Sequence, residues 1–157
     1  MKIEFSVSRL PRAGAIIVGV FDGCNFTPMA ERLDKVTDGA LRRATKLSRF
    51  TGKRNQTLTV IAPAGIKASR IILLGLGKGD NFDELVAQAA GGTIVTTLAQ
   101  TGDKTAAVVV DAITGSKLSA SVAAAHVAYG ALLRSYRFDK YRTKEKAEDK
   151  PSLGTLT

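Results

Sequence analysis

Residues 69–80, SRIILLGLGKGD, constrain the fold more than any other stretch of this chain. Ile71, Ile72, Leu73, Leu74 and Leu76 make a short apolar run with charge before it and glycines after it, the pattern of a strand buried on both faces. Such a strand belongs in the centre of a sheet. Gly77 and Gly79 then permit a sharp turn. Asp80 or Asn81 can cap a helix whose first turn carries Asp83 and Glu84, where the positive end of the helix dipole favours acid. Strand, glycine turn and capped helix predict an α/β unit. Glycine turns that run into helices also cradle phosphates. Here Gly75, Gly77 and Gly79 alternate as G-x-G-x-G, which misses the dinucleotide fingerprint, and Lys78 is followed by glycine where a P-loop needs Ser or Thr. A structural turn is the expected role.

The rest of the chain supplies further strands and helices. Ile3, Phe5 and Val7 alternate with Lys2, Glu4 and Ser6, predicting a first strand with one buried face at or near a sheet edge. Residues 15–21, AIIVGVF, read as a second internal strand. Thr27 ahead of Pro28 predicts a short helix to about Leu33, and Asp38 a cap for a helix over 39–50 in which Leu41, Ala44, Leu47 and Phe50 share one side. Further strands are expected over 56–61 and 105–110. The helix after Asp80 contains Gly91 and Gly92, each costing about 1 kcal/mol against alanine, an expense that close packing against a neighbour would offset. In the last helix, 119–135, Val122, His126, Tyr129, Leu133 and Tyr136 fall in one apolar stripe, so the single histidine is expected to be a packed or hydrogen-bonded core residue. From Arg137 the chain becomes strongly charged, and 151–157 reads as a linker or tail. Together these elements predict an α/β fold, a mixed, mostly parallel sheet of five to six strands with helices on its faces.

At 157 residues the chain can bury one sizeable core without disulfides, and its lone cysteine, Cys24, favours a reducing compartment. The first residues, MKIEFSVSRLPR, lack the apolar core of a signal peptide, and no run approaches the roughly 18 apolar residues of a membrane span. A cytoplasmic protein with no membrane partner is expected. The net charge of +9 points to an anionic partner or to an acidic surface of the same protein. The densest basic cluster is Arg42, Arg43, Lys46 and Arg49 with Lys53 and Arg54, which reads either as a solvated helix face or as a phosphate-contacting surface for nucleic acid. With no tryptophan and few aromatics, stacking platforms for single strands are scarce.

Catalytic chemistry leaves no trace. Neither H-E-x-x-H nor G-x-S-x-G occurs, Cys and His are not arranged suggestively, and Asp111 stands alone near a strand end. Asp22 and Cys24, after the second strand, are a thin basis for a site. His126 has no second histidine or cysteine pair with which to build a metal set. No catalytic, cofactor-binding or metal-ligating residue is therefore predicted.

Four stretches, LDKVTDG (33–39), the Gly52–Lys53 pair followed by QTL (56–58), RIILLGLGK (70–78) and YGALLRSYRFDKYRTK (129–144), together resemble the N-terminal domain of the leucyl aminopeptidases, or cytosol aminopeptidases. The resemblance spans roughly residues 2 to 146. It implies a three-layer, macro-domain-like N-terminal domain over 1–146 and the start of an interdomain linker over 147–157. The larger catalytic domain, with two divalent metals (manganese or zinc), a catalytic lysine and arginine and the N-T-D-A-E-G-R-L signature, has no counterpart in these residues. It further implies a parent that removes N-terminal amino acids, leucine by preference, and assembles as a hexamer with these domains toward the outside. In that setting the domain serves assembly and active-site access. Some bacterial members bind DNA, which offers the basic helix a role. The rival expectations are a DNA-binding module and a stand-alone binder of ADP-ribose or a nucleotide.

Overall fold

In the computed structural model, which describes residues 1–7, 13–113, 116–136 and 152–157, the two apolar runs lie side by side. β2 (Ala15–Phe21) pairs in parallel with β5 (Arg70–Gly77), Ile16 opposite Ile71 and Val18 opposite Leu73. Alternation along both strands sends side chains to opposite faces. Ile16, Val18, Val20, Ile71 and Leu73 pack with Leu33 and Leu41 of α1 (Pro28–Val36) and α2 (Ala40–Leu47). Ile17, Ile72, Leu74 and Leu76 pack with Val86, Ile94 and Leu98 of α3 (Glu84–Leu98) and with Val127 of α4 (Ala120–Ser135). Both runs are apolar throughout because both faces of the sheet are covered.

The sheet runs β1 (Lys2–Ile3), β7 (Thr155–Leu156), β6 (Thr105–Val109), β2, β5, β4 (Thr57–Ile61), and β3 (Asn25–Phe26) pairs with the end of β2. Among the described residues only β4 against β5 and β3 against β2 are antiparallel. The mixed, mostly parallel α/β architecture is as expected, with seven strands among the described residues. One addition, β7, comes from the segment expected to be a linker. Its two residues are held between β1 and β6, and Leu153 and Leu156 are buried in the core. Two apolar residues in PSLGTLT carry no strand periodicity; a partner on each side is what makes them a strand. The expected domain boundary at 146 lies outside the described residues. The first strand is shorter than predicted. Of the first strand only Lys2 and Ile3 are in register with β7, and Phe5 and Val7, beyond the ladder, are exposed.

Helix ends differ from expectation for local reasons. α1 begins at Pro28 but continues to Val36. Asp38 does not cap α2, because its backbone is left-handed at the corner between the helices; Asp34 does, its Oδ1 accepting from Arg42 N at 3.0 Å. α2 stops at Leu47, which is exposed, and Phe50 reaches the core from the loop. Asp80 and Asn81 belong to a 3-10 turn (Gly79–Asn81), so Asp83 is the cap of α3, accepting from Val86 N at 2.9 Å.

The two glycines of α3 have separate roles. A Cβ on Gly91 would overlap the Val127 carbonyl and come within 2.7 Å of Ala131 N, whereas one on Gly92 would meet nothing nearer than Arg134 Cβ at 3.9 Å. From the other side, Gly130 of α4 sits directly against Gln88. The helices touch backbone to backbone, so α4 buries Ala123, Val127, Gly130 and Ala131. The predicted apolar stripe is thereby turned outward: Val122, Tyr129, Leu133 and Tyr136 are all exposed. His126 lies at the helix seam, not in the core, with Nδ1 3.1 Å from Gln88 Nε2 and Nε2 3.8 Å from Glu84 Oε2.

Candidate functional site

The carboxyl ends of β2 and β5 meet at the centre of the sheet, where open α/β folds place ligands. An open cleft of about 490 Å³ lies there, lined by Phe21, Asp22, Gly23, Asn25, Lys78, Gly79 and Asp80. Two of its polar side chains, Asp22 and Asn25, are engaged by the turn itself. Asp22 Oδ1 accepts from Gly23 N at 3.1 Å, and Asn25 Nδ2 donates to Asp22 O at 2.7 Å. Cys24 points away, its Sγ donating to Phe50 O at 3.4 Å. Asp22 and Cys24 thus shape a turn and form no nucleophile–base pair.

Two of the four stretches that carry the family resemblance, Gly52–Lys53 with 56–58 and 70–78, interlock in the same region. Gln56 Oε1 accepts from Thr51 N at 2.9 Å and Lys53 N at 3.2 Å, and Gly75 N donates to Gln56 O at 2.8 Å. Gly77, at φ 76°, donates to Gly52 O, and a Cβ on Gly75 would overlap the Lys53 carbonyl. Gly75 and Gly77 are therefore required by the approach of the 51–56 loop.

Beside the cleft, the N-terminus of α1 is a second place where an anion could bind. Asp111 occupies it, its Oδ2 accepting from Met29 N at 3.0 Å across the sheet. Thr27, the N-cap residue, makes no side-chain cap bond; its hydroxyl is buried without a protein partner at the edge of a cavity of about 30 Å³. Capping has passed from the local hydroxyl to a distant carboxylate. Asp111→Ala is expected to cost about 1–2 kcal/mol in urea unfolding, while Thr27→Val, usually harmful at an N-cap, should cost less than half as much. Equal losses from the two substitutions would overturn this assignment.

The basic cluster is divided. Arg42 forms ion pairs with Glu31 and, at 3.3 Å, with Asp34, and its guanidinium lies 4.8 Å from the Phe26 ring centroid. The hydrogen bond to Glu31, reinforced by that carboxylate's charge, raises its pKa further. Arg43 donates to Asp38 O, and Arg54 donates to Asn81 O at 3.1 Å while its side chain covers Gly77. Lys46, Arg49 and Lys53 are exposed, with no side-chain hydrogen bond or ion pair to another described residue. Three of the six cations thus brace the α1–α2 corner and the glycine turn. Sequence reasoning missed the roles of Asp34 and Asp111 because each acts on a backbone N–H of a helix to which it does not belong.

Among the described residues no group of three or more His, Cys, Asp or Glu side chains could hold a metal ion, and no helix is long and apolar enough to cross a membrane. Fold and side chains define a macro-type α/β domain with no assembled nucleophile, base or metal set in its described part. Its backbone is similar to that of a tomato leucine aminopeptidase (TM-score 0.75, 22% identity, 99% of this chain and 31% of that one). It is also similar to the macrodomain of Mycobacterium tuberculosis DarG (TM-score 0.65, 13% identity, 98% and 95%), which at this identity is a likeness of fold alone. Residues 17–145 match the cytosol aminopeptidase family, N-terminal domain, and the chain belongs to that family. A probable cytosol aminopeptidase of Caulobacter vibrioides is 40% identical over 157 residues, covering 98% of this chain and 30% of the relative. One from Rhodopseudomonas palustris (strain CGA009) is 32% identical over 149 residues, covering 95% and 29%. The chain spans about 30% of the length of these curated relatives.

Proposed function

We propose that this chain is the non-catalytic N-terminal domain of a cytoplasmic, metal-dependent leucyl aminopeptidase. The parent removes N-terminal residues, leucine by preference, from peptides, using two divalent ions of manganese or zinc held by its catalytic part. The domain serves assembly of the parent, a hexamer, and access to its active site. One observation carries the reading: nearly all of this chain aligns with cytosol aminopeptidases, yet it accounts for under a third of their length.

The test is hydrolysis of leucine p-nitroanilide with manganese or zinc added. The 157-residue chain should show no turnover above buffer, and the full-length product should be active. Turnover by the chain alone overturns the non-catalytic assignment; an inactive full-length product overturns the aminopeptidase reading.

A further inference from the structure

The two helical layers have opposite surface chemistry. α1 and α2 carry seven charged residues in seventeen positions, Glu31, Arg32, Asp34, Lys35, Arg42, Arg43 and Lys46, as befits a layer facing water. α3 and α4, at 15 and 16 residues, carry as charged residues only Glu84 and Arg134, with His126 and Tyr129 as the other ionisable side chains. Their inner faces are satisfied by the sheet and by each other through Gly91 and Gly130. The outer face of α4 is apolar as well: Val122 is 42% exposed, Tyr129 and Leu132 52% and Leu133 57%, with Tyr136, just past its end, at 77% and Leu85 of α3 at 72%. A helix that is apolar all round belongs in an interior, and charge depletion with exposed tyrosine and leucine marks the core of an interface.

We infer that the outer face of α4, together with Leu85 of α3, is the docking surface for the catalytic portion of the parent polypeptide. The inference rests on the N-terminal-domain reading and names the surface that reading requires. Two observations select this occupant. About 70% of the relatives' length lies outside the matched region, enough to cover a whole layer. In addition, β7 places Leu153 and Leu156 in the core shared with α3 and α4, so a chain continuing past Thr157 starts beside this layer. The basic α1–α2 layer on the opposite side then stays in water.

Thiol labelling tests the surface. Leu133→Cys is made in the 157-residue chain and in the full-length product, on a Cys24→Ala background, and its rate of reaction with a maleimide is measured. The short chain should react as a free thiol does, with its unfolding midpoint unchanged; the full-length protein should react at least 100-fold more slowly. Equally fast labelling in both overturns the inference while the domain reading stands. Protection already present in the short chain and lost on dilution assigns the face to a second copy and also overturns it. A native gene product of only 157 residues removes the reading itself, and the inference with it.

Discussion

Gly91→Ala is expected to destabilise the domain by about 3 kcal/mol, while Gly92→Ala, one residue on, is expected to stabilise it by about 0.5–1 kcal/mol. Alanine is the better helix former at both positions, so helix propensity alone predicts a gain at each. Contact decides the sign. A methyl on Gly91 would enter the space of the Val127 carbonyl and the Ala131 amide, both backbone, so α3 and α4 must separate to admit it. Side chains yield by changing rotamer; a packed backbone does not. A methyl on Gly92 has only Arg134 Cβ at 3.9 Å to meet, an ordinary contact. Urea or thermal unfolding reads the difference. For a chain of this size the Gly91 variant should melt roughly 6–12 °C lower and the Gly92 variant a few degrees higher. Two shifts of the same sign would mean that the helices are not in backbone contact.

Asp103→Ala should cost about as much, near 3 kcal/mol, although it lies far from the cleft. Asp103 Oδ2 is 2.6 Å from Arg70 Nε, a close charge contact rather than an aligned hydrogen bond, with the side chains 9% and 18% exposed. Ser69 Oγ donates to the other carboxylate oxygen at 2.6 Å. Removing the carboxylate leaves a mostly buried guanidinium with only the Thr101 carbonyl, 3.1 Å from its Nη2, to hold it at the start of β5. A buried pair is valuable mainly because half of it is so costly. The double replacement Arg70→Met with Asp103→Leu should therefore lose less than Asp103→Ala alone, a comparison that denaturant unfolding of the variants settles. A double variant weaker than the single one would show that the pair contributes net stability of its own.

Much of the fold was legible because the most buried strands announce themselves. AIIVGVF and RIILLGLG are apolar at nearly every position, which only burial on both faces allows, and both appear as predicted, paired in parallel. The glycine turn was legible too, as was the need for close packing in α3, since interior helix glycines demand an offset. What failed was read from one element at a time. Helical periodicity alone turns the stripe of α4 inward, because large apolar side chains usually face a core. Small residues won the inner face because Gly91 and Gly130 let the backbones touch. The nearest acids looked like the caps of α2 and α3, but left-handed backbone at Asp38 and the turn at Asp80 gave those positions to Asp34 and Asp83.

The candidate site followed the same division. Six basic residues were visible as a cluster, yet nothing in their spacing distinguished Arg42, held by Glu31 and Asp34, from Lys46, which has no such described partner. By itself the sequence determined the class of fold, its central strands, its family and the absence of familiar catalytic motifs, because these depend on local periodicity and short motifs. Only the tertiary structure decided that residues 155–156 complete the sheet, that Asp111 fills the end of α1, and that the apolar stripe of α4 faces outward. Each of these depends on which backbone comes within a few ångströms of which, a distance set by contacts between residues far apart in the chain.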